Sequence, residues 1–146
     1  MHLSCDGKGR PLSVILTAGQ RNDGTQLFAV LDAIRVPRSG GGRPRKRADR
    51  LLADRGYGKG LYRRELRARG IPHTIPEERF DHRQRRAGLP GRPLGFDADL
   101  YARRNVVERC VNRLKQWRGI ATRYEKRAVN YRAMVVIASL MIWLTT

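Results

Sequence analysis

Two apolar-rich, strand-like runs, His2–Cys5 (HLSC) and Leu12–Ala18 (LSVILTA), stand on either side of the polar, glycine-containing Asp6-Gly7-Lys8-Gly9. That pattern predicts a β-hairpin over residues 2–18, with Asp6 as a turn residue before it is anything chemical. Pro11 sits near the entry of the second strand, where a missing N–H is tolerated. The polar GQRNDG run is a loop, and Asp23 or Thr25 is placed to cap a helix. From Gln26 to Ile34 the spacing becomes helical, with Leu27, Val30, Leu31 and Ile34 on one side. Arg50–Ala53 (RLLA) reads as a short strand leading into Asp54 and the Gly56-Tyr57-Gly58 turn. Leu61–Arg69 reads as a helix ended by Gly70, and IPHTIP (71–76) as an extended segment. The order hairpin, helix, strand, helix, strand predicts an α/β domain with a mixed sheet.

The C-terminal third is more helical. A helix is expected over residues 98–117, with Gly119 after it, then a basic connector RYEKRAVN, and a final helix over 131–144 that is apolar nearly all round. A helix of that kind has to be buried on most sides. Within YARRNVVERCVNRLK, taken as one continuous helix, Glu108, Lys115 and Tyr101 lie at about 40°, 20° and 60° from Arg104, an arc of roughly 60°. Val107, Cys110, Leu114 and Trp117 form a separate apolar stripe. One face thus packs while another presents a carboxylate between two cations and a phenol, a plausible means of bringing a metal to a phosphate backbone.

Charge narrows the class of partner. Of 146 residues, 31 are Lys or Arg and 13 are Asp or Glu, a formal net charge of +18. Such an excess favours a polyanion, most simply nucleic acid, without separating DNA from RNA. Residues 36–50 form a Gly/Pro/basic loop with Arg43, Arg45, Lys46 and Arg47, which a solvated loop explains as well as a DNA contact does. Residues 77–98 form a longer basic loop in which Arg79, Arg83, Arg85 and Arg86 suit a phosphate backbone, while His82 reads as a surface residue. Cys5 and Cys110 are far apart in sequence and form no CxxC, which suits a reducing cytosol and speaks against a structural zinc or a disulfide scaffold. The N-terminus shows no signal-peptide pattern, and Ala133–Leu144 is too short to span a bilayer.

Two carboxylates stand out. Asp54 ends a predicted strand just before a glycine turn, where sites form in open α/β sheets. Glu108 follows 54 residues later on the polar helix face. Mg²⁺ and Mn²⁺ take one or two such carboxylates together with phosphate oxygens and water. Alone, each residue is more often a cap or a surface charge.

The spacing Tyr101, two residues, Arg104, three residues, Glu108, six residues, Lys115 matches, without departure, the Y-(2)-R-(3)-E-(6)-K signature of a group of bacterial insertion-sequence DDE transposases. RNVVERCVNRLKQWRGIATRYEK resembles the flanks of that signature, LLADRGY resembles the segment carrying the second catalytic aspartate, and HLSCDGKGRPLSVILTAGQRND resembles the hairpin and the loop after it. The resemblance covers nearly the whole chain, 1–146, as a C-terminal part of the catalytic domain. It implies an RNase H-like mixed sheet flanked by helices, with Asp54 and Glu108 as the second and third acids binding Mg²⁺ or Mn²⁺. Tyr101, Arg104 and Lys115 would then position transposon-end DNA. The implied activity is DNA cleavage and strand transfer by direct phosphoryl transfer, without a covalent enzyme intermediate. The implied location is the cytoplasm, with the nucleoid.

In that family the first aspartate precedes the hairpin, whereas Met1 stands here at what looks like the second strand; Asp6 is not assigned the role. The chain is therefore expected to be a truncated domain lacking its first strand. It would be a shortened copy, or a second reading frame whose partner is an upstream-frame polypeptide or a full-length transposase. An open sheet then predicts marginal stability or self-association. A non-catalytic basic DNA-binding remnant, or regulator of the full-length enzyme, is the alternative. An RNA-associated module is a third, against which the Y-R-E-K spacing speaks, because RNA binding alone gives Glu108 no particular task.

Overall fold

A computed structural model describes residues 1–19, 22–77, 88 and 96–146. The basic positions Arg79, Arg83, Arg85 and Arg86 and His82 fall outside the described residues. The chain forms two compact units, residues 1–46 with 105–146, and residues 47–104.

In the first unit, β1 (His2–Cys5) and β2 (Pro11–Ile15) pair antiparallel, with His2 opposite Ile15 and Ser4 opposite Ser13. The register slips by one residue between Ser4 and Cys5, next to Pro11, which has no N–H to give the ladder. Alternation gives the hairpin two different faces. Leu3, Cys5, Val14 and Leu16 pack on a core of Cys110, Leu114, Ile120, Tyr131, Val135, Ala138 and Ile142. On the other face, Ser4 and Ser13 share a 2.6 Å hydroxyl pair, and Ser13 Oγ donates to the Val30 carbonyl at 2.8 Å. Val30 belongs to α1 (Leu27–Asp32), whose Leu27, Val30 and Leu31 are buried. A 3₁₀ turn, Asp23–Gln26, precedes α1. It is capped by Asn22, which accepts the Gly24 N–H at 2.9 Å; Asp23 instead pairs with the buried His2 at 3.1 Å. The cap thus falls ahead of both expected candidates, one residue before Asp23 and three before Thr25, because the helix enters through a 3₁₀ turn. In the Gly-rich basic loop, Val36 and Arg45 exchange backbone hydrogen bonds of 2.9 and 2.8 Å.

The second unit is a strand–helix–strand arrangement. β3 (Leu51–Leu52) and β4 (His73–Thr74) run parallel, joined through the 3₁₀ turn Arg55–Tyr57 and α2 (Gly60–Ala68). Leu66, Ile75 and Thr74 are its most deeply buried side chains. Arg63 is only 5% exposed and donates to the carbonyls of Gly58, Ile75 and Pro76 at 2.8–2.9 Å. Three backbone acceptors compensate the desolvation of that cation. At the end of α2, Gly70 (φ 62°) allows the Ile71 N–H to reach Leu66 O at 2.8 Å and the Gly70 N–H to reach Arg67 O at 2.9 Å, closing the helix.

The described strands therefore form two two-stranded sheets rather than one mixed sheet. The class is mixed α/β with small sheets, because β3 and β4 are only two residues long and build little ladder.

The expected 98–117 helix is also divided. It forms α3 (Ala98–Ala102) and α4 (Asn105–Lys115), separated by Arg103 and Arg104. The Arg104 N–H bonds to Tyr101 O at 2.9 Å, three residues back, which tightens the turn and ends α3. Trp117, expected on the apolar stripe, is 42% exposed: α4 has ended, and Trp117 caps α5 (Arg118–Thr122). The last helix, α6 (Ala128–Leu144), begins three residues earlier than expected. It buries Tyr131, Val135, Ala138 and Ile142, while Val129, Val136, Ile137, Leu140 and Leu144 are 55–79% exposed. Its burial is one-sided, contrary to expectation, because the core cluster meets one arc of the helix and the sequence is apolar on both. Among the described residues no helix is long and apolar enough to cross a membrane.

Candidate functional site

Asp54 follows β3 with extended backbone (φ −76°, ψ 177°) and caps the 3₁₀ turn, its Oδ1 accepting the Gly56 N–H at 2.8 Å. A side chain on Gly56 would meet that Oδ1 at 3.1 Å, so glycine keeps the turn close to the carboxylate. The carboxylate is exposed. In the same unit, Asp97 caps α3 by accepting the Leu100 N–H at 2.9 Å, and α3 carries Tyr101 half-buried against Phe96, ring centroids 5.3 Å apart. The Arg104 guanidinium lies 5.6 Å from the centre of the Tyr101 ring. Phenol and cation are thereby held together.

Glu108 stands in the first turn of α4 and Lys115 in the last, the order that the helix dipole favours. Both are exposed, and their seven-residue spacing puts them on one face, about 20° apart. The opposite side buries Cys110 and Leu114. The structure therefore places Asp54, Tyr101 and Arg104 in one unit and Glu108 and Lys115 in the other. The arc of roughly 60° assumed one unbroken helix; within its own unit, Tyr101 stays beside Arg104 in the one and Glu108 shares a face with Lys115 in the other.

Asp54 and Glu108 offer hard carboxylate oxygens, the donor chemistry that Mg²⁺ or Mn²⁺ requires. Among the described residues, no three His, Cys, Asp or Glu side chains group as a metal cluster. Asp6 is otherwise engaged. Its carboxylate accepts the backbone N–H of Lys8 at 2.9 Å and of Arg10 at 3.0 Å, and pairs with the Arg10 guanidinium at 2.6–2.7 Å. Burial pushes its pKa up, but these donors outweigh burial and hold the carboxyl below its ordinary value. Arg10 in turn stacks 4.1 Å from the Trp143 ring, and the Trp143 indole donates to Pro11 O at 2.8 Å. Asp6 is thus the anchor of the hairpin turn.

Two features escaped the sequence reading. Cys5 and Cys110 meet in the core, where both are free thiols; the hydrogen bond between them, then burial, pushes the Cys5 thiol up. Second, the hairpin turn lies against α4, leaving a notch of about 180 Å³ lined by Gly7, Lys8, Gly9, Val106, Arg109, Cys110 and Arg113. The i,i+4 spacing of Arg109 and Arg113 was its visible signal, but only the fold brings Lys8 beside them.

The chain spans 60% of the length of a curated relative, the protein from Burkholderia cepacia named as transposase for insertion sequence element IS402. The two are 36% identical over 141 residues, 97% of this chain. No solved structure matches. The family model described as Transposase DDE domain matches residues 1–144, and with the relative it shows that this chain belongs to the insertion-sequence DDE transposases.

Proposed function

We propose that the chain serves DNA transposition as part of an RNase H-like DDE catalytic domain, which cleaves insertion-sequence ends and transfers the strand by phosphoryl transfer. The observation that carries this reading is the family match over residues 1–144, within which the Y-R-E-K spacing stands complete at Tyr101, Arg104, Glu108 and Lys115. Asp54 and Glu108 would hold Mg²⁺ or Mn²⁺, which when bound supplies the charge stabilisation that phosphodiester chemistry needs. Arg104, braced by the Tyr101 ring, and Lys115 contact phosphate and set the position of the DNA end. The exposure of Asp54 and Glu108 leaves both carboxylates accessible to such a substrate. The exposed apolar arc of α6 supports self-association, and the net charge of +18 supports DNA as the polyanionic partner.

The test is Mg²⁺- or Mn²⁺-dependent nicking of terminal-repeat DNA by this chain, alone and joined to the portion of the relative it does not cover, with Glu108→Gln as control. Nicking that Glu108→Gln removes is the expected result. No nicking in either form sinks the catalytic reading. A second reading, a non-catalytic DNA-binding protein, draws on the engagement of Asp6 in its turn, which withholds that carboxylate from the site. Terminal-repeat binding without nicking in either form would favour it.

A further inference from the structure

We propose that the notch between the β1–β2 turn and α4 seats a phosphate of the DNA backbone, gripped by Lys8, Arg109 and Arg113. The proposal rests on the reading that DNA is the partner, and adds a contact outside the Y-R-E-K positions. Lys8, Arg109 and Arg113 are three cations among the seven lining residues, and no lining residue is acidic. The nearby Asp6 carboxylate is spent on Arg10 and on backbone donors. Arg113 is already oriented: its Nη2 donates to the hydroxyls of Thr145 and Thr146 at 3.3 and 2.9 Å, so less side-chain freedom is lost on binding.

The glycines shape the entrance. Gly7 has open space where a Cβ would lie, and at Gly9 (φ +80°) an added Cβ would stand 3.5 Å from the Val106 side chain, so the turn lies close against α4. Backbone and cations can thus approach a phosphate without a side chain in the way. A volume of about 180 Å³ suits one phosphodiester group with its water better than a folded protein segment. On α4, Arg109, Arg113 and Val106 stand about 100°, 140° and 160° from Glu108, whereas Lys115 stands about 20° away. The notch therefore opens on a different side of α4 from the proposed catalytic carboxylate.

The test is the salt dependence of binding to duplex DNA, read by fluorescence anisotropy, for the unaltered chain and for K8Q/R109Q. A charge-matched control, K126Q/R132Q, alters two exposed cations elsewhere in the same unit. Loss of one phosphate contact is expected to flatten the slope of log K against log salt by about one and to weaken binding about tenfold near 0.1 M salt. The control should shift the slope by less, and the unfolding midpoints should agree. A K8Q/R109Q slope equal to that of the control overturns the notch. If R104Q/K115Q still flattens the slope, the DNA reading survives that failure; if the unaltered chain shows no salt-dependent DNA binding, both fall. Displacement of the DNA by polyglutamate as effectively as by unlabelled duplex would assign the notch to an acidic protein segment and overturn it too.

Discussion

The turns after β1 and β3 begin with the same signal, an aspartate at a strand end with a glycine one or two residues on. After β1, Asp6 takes two backbone N–H groups and a guanidinium and is half-buried. After β3, Asp54 takes the Gly56 N–H, caps a single turn and stays exposed. A carboxylate surrounded by donors is a structural anchor, since every lone pair turned inward is lost to a ligand. A carboxylate that spends one oxygen on a cap retains acceptor capacity for a cation or substrate. Both turns join an aspartate to a nearby glycine; what separates them is the number of donors that the following residues bring back.

The largest effects should divide the two aspartates. Asp54→Asn is expected to reduce terminal-repeat nicking by roughly three orders of magnitude, about 4 kcal/mol of barrier, while thermal unfolding barely moves. Asp6→Asn should keep nicking measurable. Observing the reverse would dissolve the contrast. Next, Leu66→Ala and Leu114→Ala, each emptying a fully buried position in its own unit, should cost about 2–5 kcal/mol in denaturant unfolding. Losses under about 1 kcal/mol would show that these cores are loosely packed.

Asp6→Asn itself should cost about 1–2 kcal/mol, because charge-assisted hydrogen bonds become neutral ones. Its pH dependence follows from the sign of the shift. The folded carboxyl titrates below its unfolded value, so its stabilisation is present above the unfolded pKa, about 3.9, and is lost as pH falls through the folded one. The stability gap between the unaltered chain and Asp6→Asn should therefore narrow below about pH 4; a gap that widens in acid contradicts the anchoring role. The smallest effect is expected at Arg104, where Arg104→Gln should flatten the salt slope of DNA binding by about one.

Local elements were largely legible. The hairpin followed from two strand-like runs around the Asp6-Gly7-Lys8-Gly9 turn, and α2 with its Gly70 stop from periodicity and a left-handed glycine. The break at Arg103–Arg104 was not legible, because neither residue is a glycine or proline and arginine is a good helix former; the i→i+3 bonds from the Arg103 and Arg104 N–H groups to Leu100 O and Tyr101 O end α3. One-sided burial of α6 was equally hidden: a sequence apolar on every side carries no record of which side meets a neighbour.

For the candidate site, the sequence by itself determined the identities and spacing of Tyr101, Arg104, Glu108 and Lys115, and the position of Asp54 at a strand end, because these are local properties of the chain. Only the tertiary structure decided that Asp6 is consumed by Arg10, that Cys5 meets Cys110, and that Lys8 joins Arg109 and Arg113 in one notch. Those pairings depend on which faces of the hairpin and of α4 come together, and that is settled by burying Leu3, Cys5 and Val14 against Cys110 and Leu114, residues about a hundred positions apart in the chain.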